Sequence, residues 1–119
     1  MEPKFTVKQK RGHWAEEKAA NYLRNFGLEI LTRNFRCKLG EIDIIAKDGE
    51  QLVFAEVRYR APSHFGSAAE SVTSRKQQRT IRAAQRFLQQ TQQWNRVCRF
   101  DVVAMDGCNS INWLKDAYR

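Results

Sequence analysis

Acidic side chains at alternate positions in strand-like runs suggest either a cation site or a set of ion pairs, and the stretch "GEIDIIAKDGEQLVFAEVRYR" (residues 40–60) carries several of them. Side chains alternate along a strand, so Glu41 and Asp43 share one face of theirs, and Glu56 and Arg58 share one face of the next. The Asp48-Gly49 dipeptide between the two runs is a strong hairpin signal. A loop of two or of four residues places odd positions opposite even ones, which puts all four polar residues on one face. A three-residue loop would separate them. In the four-residue register, with Lys47 opposite Leu52, Asp43 faces Glu56 with Cβ atoms about 4.5–5.5 Å apart, where like charges destabilise a sheet. Something positive should stand between them. A divalent cation meets that need, because Mg²⁺ takes oxygen ligands, often one or two carboxylates, and keeps waters that can be activated. Neutralisation of the acids by Arg58 and other bases in salt bridges is the plainer account, and the spacing leaves both open.

Two helices are expected around these strands. Apolar residues Ala15, Ala19, Tyr22, Leu23 and Phe26 have helical spacing, and Gly27 stands where a stop belongs, so a helix is expected over 12–26. Glu16 lies on the shoulder of that apolar stripe and could reach the sheet; in isolation a glutamate there is a solvated helix edge. Glu17 falls on the polar side. A second helix is expected from about Val72 to Thr91, with Ile81, Ala84 and Leu88 as its inner face. Opposite them Arg75, Arg79, Arg82 and Arg86 recur at i, i+4, i+7 and i+11 with no acid on the helix. Such a stripe suits a phosphate backbone, although a charge run is more commonly just a solvated face.

The remaining runs complete the order αβββαββ: "LEILTRNFR" (28–36), the two hairpin strands, "CRFDVVAM" (98–105) and "INWL" (111–114), with a turn at Asp106-Gly107. This predicts an α/β fold, a mixed central sheet flanked by helices, with a right-handed crossover if the third and fourth strands are parallel. The opposite hairpin face, Ile42, Ile44 and Ala46 with Val53, Ala55 and Val57, is wholly apolar and reads as core. "RAPSHFGSAAE" reads as a surface loop, and "FGSAAESV" within and after it could gate the acids. Arg99 and Asp101 share a strand face and are expected to pair.

At 119 residues the chain reads as one domain over 1–119, with 1–11 a flexible basic tail. Its 42% hydrophobic and 29% charged residues are the balance of a folded domain rather than a disordered chain. No apolar run approaches the ~18 residues of a membrane helix and no signal-like segment opens the sequence, so the expectation is a cytoplasmic protein without a membrane partner. Cys37, Cys98 and Cys108 lack any C-x-x-C spacing and the two histidines, His13 and His64, are far apart, which argues against disulfide and zinc sites. A formal net charge of +8 favours polyanions without choosing among DNA, RNA and acidic membrane. Trp14, Trp94 and Trp113 could anchor a protein partner, but tryptophan is more often partly core.

Together "GHWAEEKAANYL", "RNFRCKLGEIDIIA", "LVFAEVRYR", "FGSAAESVTSRKQQR" and "CRFDVVA" resemble the bacterial YraN family, over roughly Gly12 to the carboxyl terminus. The order of elements, with Asp on the second strand, Glu-x-basic on the third and Glu on the first helix, is similar to the PD-(D/E)XK nuclease fold, particularly its Holliday-junction resolvase-like members. The resemblance implies a restriction-endonuclease-like core and a metal-dependent endonuclease acting on DNA. It would place Mg²⁺ or Mn²⁺ on Asp43 and Glu56, with Glu41 a further neighbour and Glu16 assisting. It also implies branched DNA and a homodimer, because two strands must be cut symmetrically. This sequence departs from the pattern at two positions. Ile42 stands for the proline, which carries no chemistry. Arg58 stands for the lysine, and arginine stays protonated and cannot be a general base, though it can hold a phosphate or stabilise developing charge. Lys76, early in the second helix, would take over the lysine role if it reaches the acids. The alternatives are a nucleic-acid-binding module that has lost catalysis, or an adaptor for another protein.

Overall fold

The computed structural model describes residues 7–60, 72–106 and 110–119. Helix α1 (Val7–Asn25) is followed by strands β1 (Glu29–Cys37), β2 (Gly40–Asp48) and β3 (Gln51–Arg60), helix α2 (Ser74–Gln90), and strands β4 (Cys98–Asp106) and β5 (Ile111–Tyr118). The αβββαββ order is therefore the one expected. The boundaries differ most at three places. Helix α1 begins at Val7 rather than Gly12 and takes in part of the segment read as a tail, α2 begins at Ser74, and β5 continues four residues past Leu114. The loop over 61–71, with His64 and nearly all of the "FGSAAESV" gate, lies outside the described residues, as do Gly107 and Cys108.

The sheet order is β1-β2-β3-β4-β5, with β3 and β4 parallel and every other pair antiparallel. The parallel pair requires a long connection, and α2 lies within it. Alternation along β3 sends Val53 and Ala55 into a core with Ala15, Ala19, Ala20 and Leu23 of α1, and Leu52 and Phe54 into a second core with Ala83, Ala84 and Phe87 of α2. The helices thus cover opposite faces of the sheet, and β3 is buried on both sides from Leu52 to Glu56. Among the described residues no helix is long and apolar enough to cross a membrane.

Local chemistry explains the ends of the elements. Gly27 adopts φ +89 after α1, where its N–H reaches Arg24 O at 2.9 Å and Leu28 N–H reaches Leu23 O at 3.1 Å. Thr73 caps α2, its Oγ1 accepting from Lys76 N–H at 3.2 Å. The hairpin pairs Lys47 with Leu52, the register that sets Asp43 opposite Glu56, but pairing continues to Asp48 with Gln51. The connection is thus Gly49-Glu50, with Gly49 at φ +62, a conformation that costs glycine little.

Candidate active site

The paired ladder of β2 and β3 runs from Asp48↔Gln51 to Ile44↔Ala55, so Asp43 and Glu56 are the first residues beyond it. Where pairing stops, Val57 N–H donates to Asp43 Oδ2 at 2.8 Å and replaces a ladder bond. This break also reassigns Ile42. The alternation expected along β2 placed it with Ile44 and Ala46, yet it packs in the α2-side core with Ile45, Leu52 and Phe54. Ile42 stays paired with Phe35 of β1, which packs against the same core, so the two-residue period is interrupted at Asp43 although the β1 ladder continues.

Glu56 is buried, and its Oε1 accepts from Lys76 Nζ at 2.6 Å and more distantly from Arg58 Nη1 at 3.4 Å. Its Oε2 is buried with no hydrogen-bond partner among the described residues. A buried carboxylate oxygen normally has a donor, so this one marks a place where a further ligand would be favourable. Beside it is a cavity of about 20 Å³ lined by Asp43, Glu56, Lys76, Thr80, Ala55, Ile42 and Glu41. That is room for one water-sized species, since a single water needs roughly 10–15 Å³ by such a measure.

Burial pushes the Asp43 carboxyl up to about 6, and the nearby Glu56 and Glu16 carboxylates add to the rise, while the Val57 N–H and Lys76 oppose it. A cation placed between Asp43 and Glu56 would remove that penalty. Mg²⁺ and Mn²⁺ fit a donor set of two carboxylates with one unsatisfied oxygen, because Mg²⁺ is commonly held by one or two carboxylates and completed by water. Among the described residues no group of three or more His, Cys, Asp and Glu side chains is arranged to hold a metal.

Of the other expected residues, Lys76 and Arg58 contact Glu56, whereas Glu16 and Glu41 pair with arginines. Lys76 reaches Glu56 from the first turn of α2, which the sequence left undecided. Arg58 makes the longer contact with Glu56, at 3.4 Å. Glu16 is buried on α1, its Oε1 accepting from Arg33 Nε at 3.0 Å and Asn34 Nδ2 at 2.9 Å. Arg33 also binds Glu17 at 2.6 Å and lowers its pKa by that hydrogen bond, so Glu17 is not merely solvated. Glu41 sits at the rim, largely exposed, 3.4 Å from Arg36. Asn34, in the left-handed region at φ +56, and Thr80, buried on α2, were missed by sequence reasoning. A polar residue on the helix's inner face was the available signal for Thr80, and that face is itself rotated from expectation. It comprises Thr80, Ala83, Ala84 and Phe87, leaving Ile81 and Leu88 half-buried, because Phe87 seats against Phe35 and Phe54. Arg75, Arg79, Arg82 and Arg86 are all exposed.

Gly40 was also missed. A Cβ there would lie 2.5 Å from Arg79 O, so glycine lets α2 approach the start of β2 closely. That approach builds an open groove of about 520 Å³ lined by Glu41, Thr73, Arg75, Lys76, Arg79 and Thr80, next to the acid pair.

Residues 15–105 match the model of a family described as "Uncharacterised protein family UPF0102". The chain belongs to this family, known also as YraN. A UPF0102 protein of Nitrosococcus oceani is 50% identical over 113 residues, covering 92% of this chain and 91% of the relative. One from Herminiimonas arsenicoxydans is 50% identical over 112 residues, covering 94% and 89%. A third, from Pseudomonas putida, is 46% identical over 112 residues, covering 90% and 91%. The UPF0102 match begins at Ala15, so it takes in Glu16, both strand carboxylates and Lys76 within one contiguous region. The α/β architecture with its five-stranded mixed sheet agrees with the restriction-endonuclease-like core that the resemblance implied.

Proposed function

We propose that this UPF0102 protein is a metal-dependent endonuclease that hydrolyses phosphodiester bonds in DNA. The observation that carries the reading is the buried Glu56 carboxylate, with one oxygen on Lys76 at 2.6 Å and the other unpartnered, beside an Asp43 whose ionisation burial opposes. Asp43 and Glu56 would hold Mg²⁺ or Mn²⁺, with Glu41 at the rim. When bound, the ion supplies charge stabilisation and a water of lowered pKa. Lys76 orients Glu56 and presents an ammonium to the scissile phosphate, the part that Arg58, permanently charged, can support only electrostatically. Glu16, fixed by Arg33 and Asn34, keeps negative charge near Asp43. Arg75, Arg79, Arg82 and Arg86 offer cations to the backbone. Branched DNA as substrate and a homodimer go with this reading through the resolvase-like resemblance, and a cytoplasmic location is proposed with it.

The test is cleavage and gel shift on linear, single-stranded and four-way-junction DNA with Mg²⁺, Mn²⁺ or chelator, comparing wild type with an Asp43→Ala/Glu56→Ala double variant. Metal-dependent product from wild type alone is expected. Binding without product under every metal would instead establish a non-catalytic nucleic-acid-binding module, the reading that Arg58 at the lysine position favours. A sedimentation experiment finding only monomer on junction DNA would count against junction resolution.

A further inference from the structure

The arginine stripe of α2 ends at a feature the acid site does not use. Beyond the helix cap at Thr91, the chain folds into a tight hydrogen-bonded turn: Gln92 adopts φ +56, Gln93 N–H donates to Leu88 O at 2.8 Å, and Arg96 N–H to Gln93 O at 2.9 Å. Val97 O then accepts from Leu52 N–H at 2.9 Å, tying the turn to the sheet. Trp94 stands on this anchored turn with 60% of its surface exposed. A large aromatic group held out by a braced backbone has no part in the core, unlike Trp113, whose indole N–H donates to buried Asp101 at 2.9 Å.

The two ends of α2 therefore differ in chemistry. At its start, Lys76 pairs with Glu56 and Arg75 and Arg79 line the groove. Along it, Arg82 and Arg86 are exposed, and the helix sequence "SRKQQRTIRAAQRFLQQ" contains no acid. At its end comes Trp94. Exposed cations along a helix and an exposed aromatic ring on the turn that follows it are the combination that binds unpaired strands, since cations follow the backbone and each unpaired base offers a face to stack. A duplex keeps its bases stacked on one another and has none to spare for Trp94. The helix, at ~1.5 Å per residue, spans about 25 Å, which places the aromatic end at the low end of the ~4–16 nucleotide footprints of single-strand sites.

We infer that α2 and the turn after it form a track for an unpaired nucleotide strand, with phosphates on Arg75, Arg79, Arg82 and Arg86 and a base stacked on Trp94, delivering that strand to the acid pair. This rests on the nucleic-acid reading above and narrows its substrate to one with a single-stranded segment beside the scissile bond.

The experiment is equilibrium binding in chelator, so that nothing is cleaved, with dT12, U12 and a 12-base-pair duplex, at a series of salt concentrations. Both single strands should bind more tightly than the duplex, the tighter of them naming the sugar, and should quench tryptophan fluorescence. The log-log salt slope for a single strand should be about −3, from ~0.7 per neutralised phosphate, and each Arg→Ala change on the stripe should reduce it by ~0.7. Trp94→Ala should weaken single-strand binding roughly tenfold, abolish most of the quench and leave duplex binding unchanged; Trp94→Phe should recover most of the affinity. Being exposed, Trp94 can be replaced without disturbing the core. Equal affinity for single and double strands, or a Trp94→Ala variant that binds as wild type does, would overturn this inference while leaving the nuclease reading intact. No binding of any oligomer at low salt would instead remove the nucleic-acid reading itself.

Discussion

Two sets of buried acids lie on this sheet, and they are built in opposite ways. Asp101 on β4 is fully buried and fully engaged. Arg99 Nε donates to both its oxygens at 3.1 Å, Trp113 Nε1 to Oδ2 at 2.9 Å and the Asp116 N–H to Oδ1 at 2.9 Å. Arg99 itself continues to Asp48 and Gln51, each at 3.0 Å. At the other set, Asp43 receives the Val57 N–H, both cations of Glu56 share one oxygen, and its second oxygen has no partner among the described residues. Burial of a carboxylate alone thus says little about its role. What separates a structural acid from one held ready for a ligand is whether the fold has already supplied its donors.

If that contrast is right, the two sets should respond differently to substitution. The largest effect is expected at the satisfied one. Asp101→Ala leaves the nearly buried Arg99 guanidinium without its main partner and should cost about 3–5 kcal/mol in urea unfolding. A loss below 1 kcal/mol would mean the network is ornamental and would erase the distinction. Lys76→Met should act on the reaction, lowering DNA cleavage by about 10²–10⁴-fold, the range for a group that handles a proton or charge in the transition state. Unchanged cleavage with a large fall in stability would make Lys76 and Glu56 another structural pair.

Asp43 gives the sharpest test because its stability effect has the opposite sign to that of Asp101. Its folded pKa of about 6 lies above the ordinary 3.8, so between these values the native state holds a proton that the unfolded chain has released. Its contribution is therefore complete below about pH 4, declines as pH rises toward 6, and is then a constant penalty of up to ~3 kcal/mol in the absence of metal. Asp43→Asn, which can keep the Val57 hydrogen bond, should stabilise the protein at pH 7 by up to that amount and flatten this part of the profile. Urea titrations across pH 4 to 7 in chelator would measure it, and an equal slope in both proteins would refute the assignment. The smallest effect belongs to Glu41, whose exposed pair with Arg36 at 3.4 Å should contribute under ~0.5 kcal/mol, so Glu41→Gln should leave the thermal midpoint nearly unmoved.

Much of the geometry around residues 40–60 was legible in the sequence. Alternation and turn chemistry in residues 40–60 put Asp43 across from Glu56 in the register that the hairpin adopts, and the pairing of Arg99 with Asp101 followed from their shared face. Helical spacing brought Glu16 to the shoulder of α1, where it is buried. The inner face of α2 was less legible, because the apolar spacing of Ile81, Ala84 and Leu88 competes with that of Ala83, Ala84 and Phe87. Only the aromatic contacts of Phe87 with Phe35 and Phe54 decide between them.

The sequence by itself determined the order of elements, the hairpin that carries the acids and the basic character of α2, since these depend on local periodicity, turn residues and charge. Tertiary structure alone decided that β2 leaves its ladder at Asp43, that Lys76 rather than Arg58 makes the close contact with Glu56, and that Gly40 lets α2 lie near enough for it. Those facts depend on distances between segments remote in the chain, which no local pattern encodes. A strand's period says which way a side chain points, but only packing says what stands there to meet it.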